Sequence, residues 1–420
     1  MNTDGRVRHE ADVVVVGGGP SGLAAAVALR KAGVERVEVL ERESVAGGVP
    51  RHCDHPGYGM RDLHRVLTGP GYARHYADLA ADAGAVVHTG ATVTGWSPDG
   101  GLEVTSSKGL RTVHASAILL ATGARERPRA ARWVPGDRGQ GVYTTGQLQQ
   151  AVYFHNQPVG RRALIVGAEH VSFSAITTLR HAGVEVAGLV TELSRHQSYE
   201  AFRWGARLAF TVPVLTGVRV VEVYGKPAVT GVTLERVADG HRWNVPCDTV
   251  VFSGDWIPDH ELARLRGVRI DSATRGPEID ATGLTSVDGV YAAGNLCHPV
   301  ETADVAALTG RHVGHAVAAR LRSRSDLVTG AGVPIEVDDS LCWVSPQRIR
   351  STADLPARGK LILRPRIFAR IPAVRVVQGV RVLWKGRLTR FIPTRPTLLT
   401  TSWLPRVDPN GPPVRIEHLP

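Results

Sequence analysis

Four valines in a row, Val13 to Val16, run directly into Gly17-Gly18-Gly19-Pro20-Ser21-Gly22. A continuous β-branched run of this kind reads as a strand buried on both faces of a parallel sheet. Gly17, Gly19 and Gly22 then satisfy G-x-G-x-x-G at the turn into a helix opened by Pro20 and Ser21. The first glycine permits the tight turn. The second lets a pyrophosphate approach the backbone, and the third lets helix and strand pack closely. The helix start offers free N–H groups and the positive end of its dipole to the phosphates. Val37–Leu40 reads as the next strand, and Glu41 closes it 19 residues after Gly22. A carboxylate there accepts hydrogen bonds from the ribose hydroxyls of an adenosine. The spacing specifies a dinucleotide site and leaves FAD and NAD both open.

A second copy of the pattern follows. Ala163–Val166 reads as a strand, Gly167 as the turn, and a helix runs to about Ala182 before a strand over Val184–Val190. Glu169 stands where the second glycine belongs, and Ser172 where the third belongs. A side chain at 169 takes the room of the pyrophosphate. Its charge repels a phosphate about 4 Å away by about 4 kcal/mol at an effective dielectric of about 20. Ser172 is the lesser fault, since alanine is tolerated at that position. The expectation is a second βαβ unit, inserted between Gly123 and Thr285, that does not bind NAD(P)H productively.

Two later segments narrow the cofactor. "HASAILLATGARERP" sets a strand, Ala117–Leu120, before Ala121-Thr122-Gly123, and "TSVDGVYAAGN" sets Val290–Ala292 before Gly294-Asn295. With these the chain resembles the two-dinucleotide-domain flavoproteins, the pyridine nucleotide–disulfide oxidoreductase superfamily, from Ala11 to about Leu321. Thr285, Gly289, Ala292 and Gly294 match that family's T-x-x-x-G-φ-φ-A-x-G-D motif, with Asn295 in place of the final Asp. A closer resemblance lies in Gly47-Gly48-x(4)-Cys53-x-His55-x-Gly57-Tyr58-Gly59, followed by Leu67-Thr68-Gly69-Pro70-x-Tyr72-Ala73. It is similar to FAD subunits of amino-acid, opine or hydroxy-acid dehydrogenases, the cyanide-forming glycine dehydrogenases among them. Those subunits usually lack a redox disulfide and commonly work beside a second flavoprotein subunit that oxidises the substrate.

The resemblance implies an α/β architecture: an FAD-binding Rossmann-like domain, an inserted NAD(P)-type Rossmann domain with a degenerate fingerprint, and a small basic β-rich C-terminal region. The corresponding ranges are 1–144 and 285–325 for the FAD domain, 145–284 for the insertion and 326–420 for the C-terminal region. FAD is then held by Gly17, Gly19, Pro20, Ser21, Gly22, Glu41, Gly47, Gly48, Ala121, Thr122, Gly123, Gly294 and Asn295.

The four cysteines, Cys53, Cys247, Cys297 and Cys342, are far apart and form no CxxC. That argues against a disulfide relay, a zinc site or an iron–sulfur cluster. Cys53 has two readings, a single reactive thiol supported by His52 and His55, or a small packed residue beside the cofactor. His52, Cys53 and His55 lie close together on a loop with no second thiol, and no metal is expected. His298, placed at the start of the last helix, either adds to the positive helix end and exchanges protons with substrate, or hydrogen-bonds locally. Arg195, His196, Tyr199 and Arg203 have a ligand-recognition reading and a blander one as a solvated face or subunit contact.

The charge is lopsided. Residues 331–420 hold 15 Lys/Arg and 6 Asp/Glu, which is +9 of the chain's total of +11. "KLILRPRIFARIPAVRVVQGVRVLWKGRLTRF" alternates basic and apolar residues around a turn at Gln378-Gly379, as short antiparallel strands do. These strands are expected to pack on the flavoprotein body or on a partner subunit. No nucleic-acid motif accompanies the charge, so no nucleic acid is expected. No apolar run approaches a membrane span, and the N-terminus has no signal-peptide pattern, so the expected address is cytoplasmic. Three functional readings stand. The first is an FAD-dependent oxidoreductase, a dehydrogenase or oxidase subunit in a hetero-oligomer. It passes hydride from a small-molecule amine, amino acid or hydroxy acid to flavin N5, and electrons onward to a partner, quinone or dioxygen. The second is an NAD(P)H-dependent reductase. The third is a non-catalytic FAD scaffold beside a catalytic subunit.

Overall fold

Val13, Val14 and Val15 are wholly buried, as their run predicts. Strand β1 (Val7–Val16) lies between β2 (Val37–Leu40) and the long strand Gly109–Leu120, parallel to both. The structure, a computed structural model, describes residues 7–198, 212–323 and 330–419. Tyr199 and Arg203 lie outside the described residues. The chain forms two compact units. One comprises Met1–Arg51, Gly57–Ala124 and Pro258–Pro420; the other comprises His52–Pro56 and Arg125–Ile257.

In the first unit the sheet runs in space Val86–His88, β2, β1, Gly109–Leu120, Leu102–Ser106, Ala91–Trp96. Val290–Ala292 pairs in parallel with Ile118–Leu120. Helix α1 (Pro20–Lys31) leaves β1 and packs on α2 (Gly69–Asp82) and on the helix Ala303–Ser323. Glycines make that contact close: a Cβ on Gly310 would lie 1.9 Å from the Ser21 carbonyl oxygen, and one on Gly314 would lie 2.7 Å from that of Ala25. Leu23, Leu29, Val313 and Val317 fill the same apolar layer; burying each aliphatic side chain is worth about 1.5–3 kcal/mol.

The last helix begins at Ala303, later than the Cys297-His298 start read from the sequence. Asn295 is the reason. Its Oδ1 accepts the Glu301 N–H at 2.9 Å and its Nδ2 donates to the Glu301 carbonyl at 3.1 Å, closing 295–301 as a loop. Pro299 removes one further helical donor.

Residues 330–419 add a five-stranded sheet, in the order Arg348–Ile349, Val333–Val337, Val414–Leu419, Ala373–Gln378, Arg381–Arg387, and a three-stranded one. Val374, Leu383, Phe391, Trp403 and Val414 form its own core. A turn at Gly379-Val380, one residue later than the Gln378-Gly379 read from the sequence, joins Ala373–Gln378 to Arg381–Arg387.

The second unit holds a parallel sheet in the order Val142–Thr144, Thr249–Phe252, Arg162–Val166, Glu185–Thr191, Val214–Thr216. Helices α3 (Thr145–Tyr153) and α4 (His170–His181) accompany it. Its bounds differ from the 145–284 range read from the sequence. Val142–Thr144 is an edge strand of this sheet. Residues 258–284 instead supply Ala263, Val268 and Ile279 to the core of the first unit.

Candidate functional site

The first unit brings four glycine segments to the end of β1. A Cβ on Gly22 would lie 1.9 Å from the Gly17 oxygen, and one on Gly17 (φ +107°) would lie 2.5 Å from the Ala121 oxygen. Gly47 N–H donates to Gly18 O at 2.7 Å, and a Cβ on Gly48 would meet Gly19 Cα at 2.9 Å. The Ala121 N–H donates to Val16 O at 2.8 Å, placing Ala121-Thr122-Gly123 beside the turn; Thr122 Oγ1 donates to Asp259 O at 2.7 Å. A Cβ on Gly294 would fall 2.7 Å from Ser21 Cβ.

Glu41 is buried and fixes the loop. Its Oε2 accepts the Gly18 N–H at 2.7 Å and its Oε1 the Glu43 N–H at 2.8 Å. At the start of α1 the N-cap is Gly19, with no side-chain cap, Pro20 follows, and the buried Ser21 hydroxyl has no partner. The arrangement leaves first-turn N–H groups and one hydroxyl for an anion that comes from outside, which is what a pyrophosphate requires. The site fits a dinucleotide. Asn295, expected to contact the cofactor, makes one hydrogen bond at each end of its amide to the Glu301 backbone.

The same turn in the second unit is filled from within. The Glu169 carboxylate accepts the Ala168 N–H at 3.1 Å, the Ser172 hydroxyl at 2.6 Å and the Ser253 hydroxyl at 2.5 Å. A Cβ on Gly254 (φ +82°) would lie 2.4 Å from Glu169 Oε2, so the glycine makes room for the carboxylate. The two departures from the fingerprint are one feature, since Ser172 donates to Glu169. An anion already stands at the α4 N-terminus, with its hydrogen bonds made.

Cys53 is buried in the second unit, where its Sγ donates to Gln149 Oε1 at 3.2 Å, and His52 Nδ1 lies 3.2 Å from the same oxygen. His55 is half-buried, with Nδ1 3.0 Å from Pro56 O. Among the described residues no group of His, Cys, Asp and Glu is arranged to hold a metal. All four cysteines are free thiols. Burial pushes the Cys247 thiol up to about 11 and raises Cys297 as well.

His298 is buried in the first unit, with Nδ1 unpartnered and its ring 5.2 Å from that of Trp343. Burial first, and then the Arg364 charge, bring it down to about 3, so it is neutral. The Arg364 guanidinium lies 4.8 Å from the other ring of this stack, Trp343, and pairs with Glu301 at 2.8 Å. It also donates to the carbonyls of Pro299 and Val300. The basic C-terminal region thus packs on the loop ahead of the last helix.

Sequence reasoning missed Glu126. It is buried, accepts the Gly146 N–H at 2.7 Å at the start of α3, and leaves Oε1 unpartnered. Burial raises its carboxyl to about 7, with Glu169 adding a smaller upward push.

A model of the family described as pyridine nucleotide-disulphide oxidoreductase matches residues 11–310. The chain is 27% identical over 327 residues to an opine oxidase subunit of Rhizobium meliloti, covering 70% of this chain and 60% of that protein. It is 28% identical over 316 residues to thioredoxin reductase of Mycolicibacterium smegmatis, covering 71% of this chain and 93% of that one. The thioredoxin reductase of T. acidophilum shares the fold, with a TM-score of 0.62 at 23% identity, over 76% of this chain and all of the other.

Proposed function

We propose, on the premise that this chain belongs to the pyridine nucleotide-disulphide oxidoreductase family, that it is one subunit of a dehydrogenase or oxidase for an amine, amino acid or hydroxy acid. The coarser statement follows from the family alone: the chain is an FAD-dependent oxidoreductase. When bound, FAD supplies a two-electron acceptor. Gly17–Gly22, Gly48 and Gly294 form its cradle, Ser21 and the α1 N-terminus face its phosphates, and Glu41 orders the turn.

The observation that carries the finer statement is Glu169. Its carboxylate, held by Ser172, Ser253 and the Ala168 N–H, takes the position an incoming pyrophosphate needs. Reduction by NAD(P)H is disfavoured for that reason, and the four free thiols offer no dithiol route. An organic substrate is then the source of reducing equivalents. The similarity to a protein named as an opine oxidase subunit supports the substrate class, although the chain spans only 60% of that protein's length. Electrons leave to a partner protein, to a quinone or to dioxygen, and the address is cytoplasmic. Of the two candidate catalytic groups, His298 is neutral, so its part is to accept a hydrogen bond rather than to carry a proton. Cys53 donates to Gln149, an arrangement that positions its thiol.

An anaerobic titration of the purified flavoprotein tests the reading. A member of a panel of amino and hydroxy acids is expected to bleach the flavin bands, while NADH and NADPH leave them unchanged. Rapid bleaching by micromolar NADH or NADPH overturns it.

A further inference from the structure

From Leu355 to Val407 the chain carries twelve Lys/Arg and no Asp or Glu. Within it lies the hairpin of Ala373–Gln378 and Arg381–Arg387, whose second strand is the edge of the five-stranded sheet. At the tip Val380 is 103% exposed and Val382 53%. Apolar side chains in water at this level gain nothing for the fold. Arg381, Lys385 and Arg387 flank them, all exposed, and none pairs with a carboxylate among the described residues. Lys385 and Arg387 stand across from Arg375 and Ala373, so they share one sheet face with Val377 and its partner Val382.

The acids nearby do not cancel this charge. Glu417 is shared between Arg375 at 2.6 Å and Arg415 at 3.6 Å, and Glu336 stands across from Arg415 on the next strand, so these four groups balance and the surplus rests on Arg381, Lys385 and Arg387. Asp408 lies on the neighbouring loop, where its backbone is tied to the hairpin. Gln378 does the tying: its Nε2 donates to Asp408 O at 2.8 Å and Pro412 O at 3.0 Å, and its Oε1 accepts the Asp408 N–H at 2.8 Å. Gln378 is buried, so the tip is braced rather than loose. Pro412 and Pro413 are exposed on that adjoining loop.

We propose that this hairpin docks the protein on an anionic lipid surface. Val380 and Val382 enter the headgroup boundary, and Arg381, Lys385 and Arg387 meet lipid phosphates. A bilayer surface satisfies both halves of the patch at once, since aliphatic side chains partition inward while cations stay at the charged layer. A nucleic acid would meet the cations but leave the valines wet. No helix among the described residues is long and apolar enough to span a membrane, so the attachment is peripheral and reversible. The inference is independent of the substrate assigned above.

The test is co-sedimentation of the FAD-loaded protein with vesicles of mixed phosphatidylglycerol and phosphatidylcholine, against phosphatidylcholine alone, at low and high salt. Binding to the anionic vesicles only, weakened by salt, is expected. Lys385→Gln and Arg387→Gln are each expected to weaken it about fivefold, and Val380→Asp more than tenfold. Flavin content and melting temperature check that each variant is folded; all three side chains are exposed, so neither should change. Equal binding to both vesicle types, no binding at low salt, or hairpin variants that sediment like the parent would each overturn the proposal. Hairpin-dependent retention on duplex DNA without vesicle binding would assign the face to nucleic acid instead.

Discussion

The chain builds the same strand–turn–helix twice and solves its electrostatics in opposite ways. At Gly17–Gly22 the helix start is bare: a glycine N-cap, a proline and a buried Ser21 hydroxyl with no partner. At Gly167–Ser172 the helix start is already answered by Glu169, with two serine hydroxyls and one N–H around it. The internal carboxylate in the first region, Glu41, stands behind the turn and holds Gly18, so it orders the loop without taking the ligand's room. A Rossmann turn is thus an anion site by construction. Whether it is a cofactor site depends on where its carboxylate stands.

The largest expected break of this contrast is Gly22→Val. Its Cβ would collide with the Gly17 oxygen, so the protein is expected to emerge without flavin, read as the flavin-to-protein absorbance ratio. Ser172→Gly, at the matching position of the second turn, is expected to leave that ratio unchanged. Next comes pH. The Glu126 carboxyl is raised from 4.5 to about 7, mainly by burial, so the folded state binds the proton more tightly than the unfolded state. Stability associated with this group is full below about pH 4.5 and is lost as pH rises to about 7, with an expected total of about 3 kcal/mol. Glu126→Gln is expected to flatten that slope in denaturant melts taken across the range.

Glu41→Ala removes the acceptor for the Gly18 N–H and is expected to weaken FAD binding by about 2 kcal/mol, near thirtyfold, measured by flavin fluorescence on dilution. Glu169→Ala strips the acceptor from Ser172 and Ser253 and is expected to cost about 1.5 kcal/mol of stability while flavin content stays constant. The smallest effect is Glu169→Gln, which removes a neighbouring negative charge and lowers the Glu126 midpoint, visible as a shift of the same pH slope to lower pH. If Glu169→Gly confers reduction by NADH, the second turn was closed by that one side chain. If it does not, the closure extends to Ser172 and Ser253.

Much of this contrast is legible in the sequence, because it lies in local spacing. The strands around Val13, Val37 and Val290, the helix after Gly19, and the aberrant Glu169 all lie within short windows whose periodicity and glycines have few alternatives. What holds Glu169 was not legible. Ser253 and Gly254 are some 84 residues away and carry no motif of their own. The Arg364–Trp343–His298 stack joins three segments in the same way. The late start of the last helix turned on a side chain, Asn295, whose amide found the Glu301 backbone. Glu126 carries no motif; it is buried and accepts the Gly146 N–H at the start of α3, a contact 20 residues away in sequence. Local pattern predicts elements, and long-range partners decide what their side chains do.

The close seat of α1 on the Ala303–Ser323 helix has a consequence for biosynthesis. Ser21 borders the phosphate turn and rests directly on Gly310. Everything between Ser21 and Gly310, the inserted unit included, therefore has to be synthesised before the first turn meets its support. A nascent chain stalled ahead of Gly310 has the complete glycine fingerprint and still lacks the wall behind it, so flavin capture is expected late in synthesis, set by a glycine almost three hundred residues downstream of the turn.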